Sequence, residues 1–198
     1  MSTDSEILRR SRETPAAFAE LYDRHAPTVH RYAARRIGTT VADDIMSETF
    51  LVAFERRADF DLERDDARPW LYGIATTLLK KHSRLEARAW KGLVAAGAAE
   101  VGHDAIEALG SRVDAEIAVH RLAAALARMP ARDRDTLLLH AWADLDYEGI
   151  AQALAVPVGT VRSRLNRARR TLRALADRGA APDKEVDHGR TDTASQGA

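Results

Sequence analysis

Residues 146–175, DYEGIAQALAVPVGTVRSRLNRARRTLRAL, hold a pattern that admits few structures. A short apolar-periodic run (Ile150, Ala151, Leu154) leads into a turn at Ala155-Val156-Pro157, and a longer periodic segment follows. Asp146 suits the N-cap of the first helix, since its carboxylate can accept from backbone N–H groups that lack a helical partner. Pro157 cannot continue that helix, and Gly159-Thr160 opens the next. In the second helix Val161, Leu165, Ala168, Leu172 and Leu175 recur at steps of four and three, which is one face. At about 100° per residue, Ser163, Asn166, Arg167 and Arg170 point away from it, flanked by Arg162 and Arg173.

Two helices joined by a tight turn, the second presenting Arg, Ser and Asn outward, make a helix-turn-helix whose second helix can enter a major groove. Arg reads guanine bidentately, Asn reads adenine, and Ser adapts to either. The alternative is a solvated basic surface helix. Against it, Gly159 to Leu175 contains no acidic residue in a chain whose charges balance, and surface helices usually mix signs. The expected DNA contacts are Thr160, Arg162, Ser163, Asn166, Arg167 and Arg170.

The whole chain has 198 residues, 45% of them hydrophobic, enough for one or two domains with real cores. Lys plus Arg and Asp plus Glu both total 30, so net charge does not point to nucleic acid. That balance hides segregation, because acids gather between Glu100 and Glu116 and again beyond Asp177. With no cysteine there is neither a disulfide framework nor a thiolate metal site, consistent with a reducing compartment. No apolar run approaches a membrane span, and Met1 to Thr14 is too polar for a signal peptide, so a cytoplasmic location is expected.

Ahead of the helix-turn-helix the chain reads as helices throughout. Thr14-Pro15 starts one with Phe18, Leu21, Tyr22 and His25 on its apolar side. Pro27 should kink or break it before Val29, Tyr32, Ala33 and Ile37, and Gly38 closes it. Thr39-Thr40 opens another, with Val41, Ile45, Thr49, Val52 and Ala53 inward. On a different side Asp44, Ser47, Glu48, Leu51 and Glu55 align as an acidic stripe around an exposed leucine. Such charges suit a solvated face, whereas the leucine suits a basic partner surface with an apolar pocket.

Residues 60–68 read as a polar loop, and Pro69 begins a helix with Leu71, Ile74, Ala75, Leu78, His82 and Leu85 inward. Its opposite face holds Gly73, Thr76, Thr77, Lys80, Arg84 and Arg88, with Lys81 at the edge. Glycine permits close backbone approach, threonines can hydrogen-bond, and the cations can hold phosphates. Trp70 can stack on an unpaired base or anchor the loop in the core. Residues 91–116 are Ala/Gly-rich and acidic, the best linker candidate. Helices with Ile117, Leu122, Leu126 and Met129, then Leu137, Leu138, Ala141 and Trp142 inward, lead to the helix-turn-helix. The tail from 177 to 198 lacks apolar anchors and is expected to be disordered. No stretch alternates long enough for a strand. The fold class is all-α, with two small helical domains at 14–90 and 117–176.

Catalytic signatures are missing: there is no HExxH, no P-loop and no histidine cluster at ligand spacing. A metal-dependent nuclease built on Asp43, Asp44 and Glu48 is the enzyme alternative. The expectation is a non-enzyme that needs no cofactor and no metal.

Taken together, AFAELYDRHAPTVHRYAARRIG, ADDIMSETFLVAFERR, RPWLYGIATTLLKKHSRLEAR and, after the linker, MPARDRDTLLLHAWADLDYEGIAQALAVPVGTVRSRLNRARRTLRAL resemble the extracytoplasmic-function (ECF) sigma factors of bacterial RNA polymerase. The resemblance implies a promoter-melting domain (sigma region 2) joined flexibly to a helix-turn-helix domain (sigma region 4). It implies that Asp44, Ser47, Glu48, Thr49, Leu51 and Glu55 dock on the clamp helices of the largest polymerase subunit, and that the second domain meets the flap of the second-largest. Trp70, Gly73, Thr76, Thr77, Lys80, Lys81 and Arg84, with the loop 61–68, would hold the opened −10 element. Arg162, Ser163, Asn166 and Arg167 would enter the −35 major groove. Promoter DNA and core polymerase are the implied partners, an anti-sigma factor a further one, with no insertion into a membrane.

The chain departs from the family pattern at four places. Thr77 stands where an asparagine is frequent, and Ser47 where glutamine is frequent. Gly149 replaces an acid, so no capping box forms. Ala155 replaces a common turn glycine, which is tolerable where the backbone is not left-handed. The other reading open to the sequence is a polymerase-independent repressor or activator that uses only the helix-turn-helix.

Overall fold

Thr3 and Glu6, at the first turn of the chain, stand at the spacing of a capping box. In the computed structural model, which describes residues 2–82, 85–88, 91–92 and 120–180 without the side chains of 175–180, the box forms. Glu6 N–H donates to the Thr3 hydroxyl (3.2 Å) and Thr3 N–H to the Glu6 carboxylate (2.9 Å). Helix α1 (Asp4–Glu13) follows and buries Ile7 and Leu8. Helix α1 thus adds buried residues ahead of residue 14, where the first domain is expected to begin.

A 3-10 turn, Pro15–Phe18, leads into α2 (Ala19–Ile37), which runs through Pro27 without a break. Pro27 lies on the exposed side, where its missing N–H faces water rather than the core. Gly38 ends α2 at φ 87°, a backbone conformation that a side chain would strain. Helix α3 is Thr39–Glu55 and α4 is Arg68–Lys81. Leu21, Val29, Tyr32 and Ala33 of α2 pack with Ala42, Ile45, Phe50 and Ala53 of α3 and with Leu71, Ala75, Leu78 and Leu79 of α4. After α4 turns at His82, residues 85–88 are helical again, with Leu85 exposed and Glu86 buried, so the expected inward position of Leu85 is not observed.

The second half comprises α5, described over 120–128, α6 (Ala131–Trp142), α7 (Tyr147–Leu154) and α8 (Val158–Ala180). Its core is Ala123, Leu126, Leu138, Leu139, Ile150, Val161, Leu165 and Ala168. The α6 stripe is rotated one residue from the reading: Leu138 and Leu139 are buried, while Ala141 is exposed. Leu122 is exposed as well. Helix α8 continues through Ala180, so the first residues of the expected tail are helical. Apart from Lys91 and Gly92, the linker lies outside the described residues, as do Arg84, Ile117 and 181–198. No strand occurs among the described residues.

The two halves touch along α4 and α7. Pro69 and Gly73, four apart on α4, face Gly149 and Ala153, four apart on α7. A Cβ on Gly73 would lie 2.7 Å from the Ala153 carbonyl oxygen, and one on Gly149 3.4 Å from the Pro69 ring. Small residues at one-turn spacing let the two backbones approach. The tighter contact of a Cβ at 149 would be with the capping carboxylate of Asp146, at 3.0 Å.

Beside this seam sits Arg36, 1% exposed. Its guanidinium donates to Glu86 (2.8 Å), to the Tyr32 hydroxyl (3.0 Å) and to Asp135 of α6 (2.7 Å). Arg134 adds a second bond to Glu86 (3.0 Å). Burial by itself lowers the Arg36 pKa, but Tyr32, Asp135 and Glu86 outweigh it and raise the value overall, so the group stays charged.

Candidate nucleic-acid interface

Helix α8 is set by its cap and its turn. The Asp146 carboxylate accepts the Gly149 N–H (2.7 Å), which fixes the start of α7. At the end of α7, Ala155 is left-handed (φ 51°, ψ 50°), and the Val156 N–H reaches back to the Ala151 carbonyl (2.9 Å). Ala155 is expected to be tolerable only where this backbone is not left-handed. It is left-handed, at a cost of roughly 1–2 kcal/mol for a residue with a Cβ.

With Val161, Leu165 and Ala168 buried, α8 turns Arg162, Ser163, Asn166, Arg170 and Arg173 to solvent. Their open face lies on a helix without an acid before Asp177. Thr160, half-buried, precedes them at the first turn, and its carbonyl accepts the Ser163 hydroxyl (2.9 Å). Arg167 differs from its neighbours. Its Nε and Nη2 form a fork on the buried Asp133 of α6 (3.0 and 2.9 Å), leaving Nη1 as the guanidinium nitrogen outside that fork. That fork uses two of the five guanidinium hydrogens and buttresses Arg167 against α6, leaving the Nη1 hydrogens and the second Nη2 hydrogen for a nucleic acid.

The second expected DNA face, on α4, is less uniform. Trp70, half-buried, packs on Phe60 with ring centroids 5.2 Å apart, so its ring serves as an anchor for the loop. Gly73 meets α7, as described above. Thr76 is buried, its hydroxyl paired with that of Tyr32 (3.2 Å), which corrects its expected place on the outward face. Thr77, Lys80 and Lys81 are exposed, and the Thr77 hydroxyl is turned back to the Gly73 carbonyl (2.9 Å). Between this face and α7 lies a cleft of about 390 Å³ lined by Trp70, Gly73, Thr77, Lys81, Gln152 and Ala153, among others. Loop residue Arg64 reaches across to Gln152 (2.6 Å).

On α3 the acidic stripe is present at the surface. Asp44, Ser47, Leu51 and Glu55 are exposed, Leu51 at 57%, and Glu48 is half-buried with its carboxylate 3.6 Å from Lys81. Thr49 does not join them. It is fully buried, its hydroxyl on the Ile45 carbonyl (2.6 Å), so it belongs to the core and not to a docking surface. Among the described residues no group of His, Asp and Glu is arranged to hold a metal ion, and no helix is long and apolar enough to cross a membrane.

Family models locate the same two pieces. Sigma-70 region 2 matches residues 21–89, and Sigma-70 region 4 matches residues 120–172. The ECF RNA polymerase sigma factor SigL of Mycobacterium tuberculosis (strain ATCC 25618 / H37Rv) is 30% identical over 159 residues, covering 80% of this chain and 88% of that protein. The RNA polymerase sigma factor CnrH of Cupriavidus metallidurans is 30% identical over 173 residues, 81% and 87% of the two chains. The fold matches the structure of CnrH in complex with the cytosolic domain of CnrY at a TM-score of 0.62 and 24% identity, over 89% of this chain and 99% of that one. An exposed basic face on the second helix of a helix-turn-helix, an acidic stripe on a separate helix and both sigma-70 regions in order leave one assignment: the chain belongs to the family of ECF RNA polymerase sigma factors, which recognise promoters and initiate transcription with core polymerase.

Proposed function

We propose that α8 enters the −35 major groove with Arg162, Ser163, Asn166 and Arg170 at base edges and Thr160 and Arg167 at phosphates. The single observation that supports this is the open, acid-free face of α8. Asp44, Ser47, Glu48, Leu51 and Glu55 dock on a basic surface of the polymerase clamp, and the second domain on the flap. Trp70, Thr77, Lys80 and Lys81, with the loop 61–67, hold the opened −10 strand, with Gly73 joining them once α7 withdraws. Binding drives melting, because unpaired bases trapped on protein offset the lost stacking. The protein acts in the cytoplasm as a binding factor and not as an enzyme. A relative's structure, RpoE with the anti-sigma factor NepR from Bartonella quintana, supports control of this chain by an inhibitor protein during a stress or signal response.

Two substitutions separate the roles. Arg162→Ala lowers affinity for the cognate upstream duplex by about 1–3 kcal/mol and relaxes preference at one base position, leaving polymerase affinity intact. Glu48→Lys sets like charges together at the clamp, which costs on the order of several kcal/mol at a desolvated contact. It abolishes polymerase binding and run-off transcript while upstream-duplex binding persists. Equal polymerase affinity in wild type and Glu48→Lys, or none in either, would support the repressor reading instead.

A further inference from the structure

Helix α1 lies outside both sigma-70 matches and touches none of the residues proposed for the −35 element or the polymerase. Its contacts are concentrated on one loop. At one end of α1, Asp4 brackets Asp66: its N–H donates to the Asp65 carbonyl (3.2 Å), and its carboxylate accepts the Ala67 N–H (2.9 Å). The Ser5 hydroxyl adds a bond to the Asp65 carboxylate (3.1 Å). At the other end, the Arg12 guanidinium donates to the carbonyls of Ala58 (2.9 Å) and Phe60 (3.0 Å). Helix α1 therefore grips the segment on both sides of 61–64, its two anchor points about 12 Å apart along the helix at 1.5 Å per residue.

The Asp4 carboxylate is buried and fully engaged, taking further bonds from His25 Nε2 (2.8 Å) and Arg24 (2.6 Å). Burial raises its pKa, but the bonds from His25, the Ala67 N–H and Arg24 prevail and hold it below the ordinary carboxylate range. A buried charge with that many donors is rigid, because moving it would strand several groups at once. Ala67 stands at the N-cap of α4, and its own backbone N–H is the group that Asp4 takes from another helix. Asp66, whose flanking peptide groups Asp4 holds, in turn accepts the Arg68 N–H (2.8 Å) and pairs with its guanidinium.

We propose that α1 is a splint for the loop 61–67 and that Asp4 is its positioning residue, fixing the loop's shape and thereby its discrimination among −10 bases. The inference rests on the reading of that loop as a −10 contact, given under Proposed function.

The test uses the full chain. In Asp4→Ala, hydrogen exchange at the Ala67 amide quickens by about tenfold or more, while amides of α2 and α3 change by less than about twofold. Run-off transcription with core polymerase then compares the preferred −10 sequence with single-base variants. The ratio of preferred to variant transcript falls by about fivefold in Asp4→Ala, while affinities for polymerase and for the upstream duplex stay within about twofold. Where Asp4→Ala fails to fold, Asp4→Asn makes the same comparison, since it keeps an acceptor for Ala67 and gives up the charge. Its expected fall in the ratio is about two- to threefold.

Unchanged exchange at Ala67 overturns the splint, whatever the transcripts show. Faster exchange with an unchanged ratio overturns its part in base discrimination, as does an equal loss at every −10 sequence. A wild-type protein that yields no transcript overturns the assigned function itself, a result that the exchange measurement keeps separate from failure of the splint.

Discussion

The outward face of α8 and the outward face of α4 look alike in sequence, each with hydroxyls at its beginning and cations towards its end, yet the structure treats them differently. Arg162, Ser163, Asn166 and Arg170 stand in solvent, with no other helix of the described residues on them. On α4 the same kind of face is partly occupied, because α7 lies on Gly73 at a distance that no Cβ could share. A small residue on a helix surface invites any backbone, whether of a nucleic acid or of the same chain. The comparison teaches that one proposed DNA face is open as it stands, whereas in the other Gly73 is uncovered only when the two halves part.

The largest effect should come from what holds them together. Arg36→Ala leaves Asp135 without its guanidinium and Glu86 with only Arg134, and breaking a buried pair in this way costs about 3–5 kcal/mol. Urea denaturation reads that loss. Energy transfer between labels on α3 and α8 should show the halves separating, while upstream-duplex affinity does not fall. An unchanged distance would mean that the α4–α7 seam holds the halves closed without the ion cluster.

Two glycines, one on each face, sharpen the contrast at smaller scale. Gly73→Ala drives a Cβ to 2.7 Å from a helix carbonyl that has no freedom to rotate away. It should destabilise the closed arrangement by about 1–3 kcal/mol. Gly159, at the start of α8, has nothing within 4 Å of its Cβ position. Gly159→Ala should therefore stabilise the protein by about 0.4–1 kcal/mol, through the lower entropy of its unfolded chain. Thermal unfolding of both variants tests the pair, and equal effects would erase the distinction between an open and a covered face.

The helix-turn-helix was legible because cap, turn proline and apolar period agree over thirty consecutive residues. The α4 face was half legible, since sequence shows that Gly73 admits a close backbone but not whose. Thr49 and Thr76 illustrate a different limit. Both occupy inner positions of their helices, where a threonine hydroxyl finds a partner in the core, on a carbonyl four residues back for one and on Tyr32 for the other. Helix α1 was missed although Thr3 and Glu6 announce it, because only Ile7 and Leu8 supply apolar content and no period can be counted from two adjacent residues. Arg36, the most consequential contact between the halves, leaves no trace in a local pattern. Its partners Glu86 and Asp135 lie 50 and 99 residues away in the chain.

Temperature acts on that contact in the same direction as on an apolar seam, but for a different reason. Apolar seams lose strength on cooling, as the entropic gain from releasing water fades. For a charged cluster the main cost is the water it gave up, and the hydration of ions becomes less favourable as the solution warms. Heating therefore shrinks the penalty for keeping Arg36, Glu86 and Asp135 out of water. Warmth tightens this junction while it loosens the helices around it, so of all the joints in the molecule this one should be among the last to yield to heat and among the first to slacken in the cold.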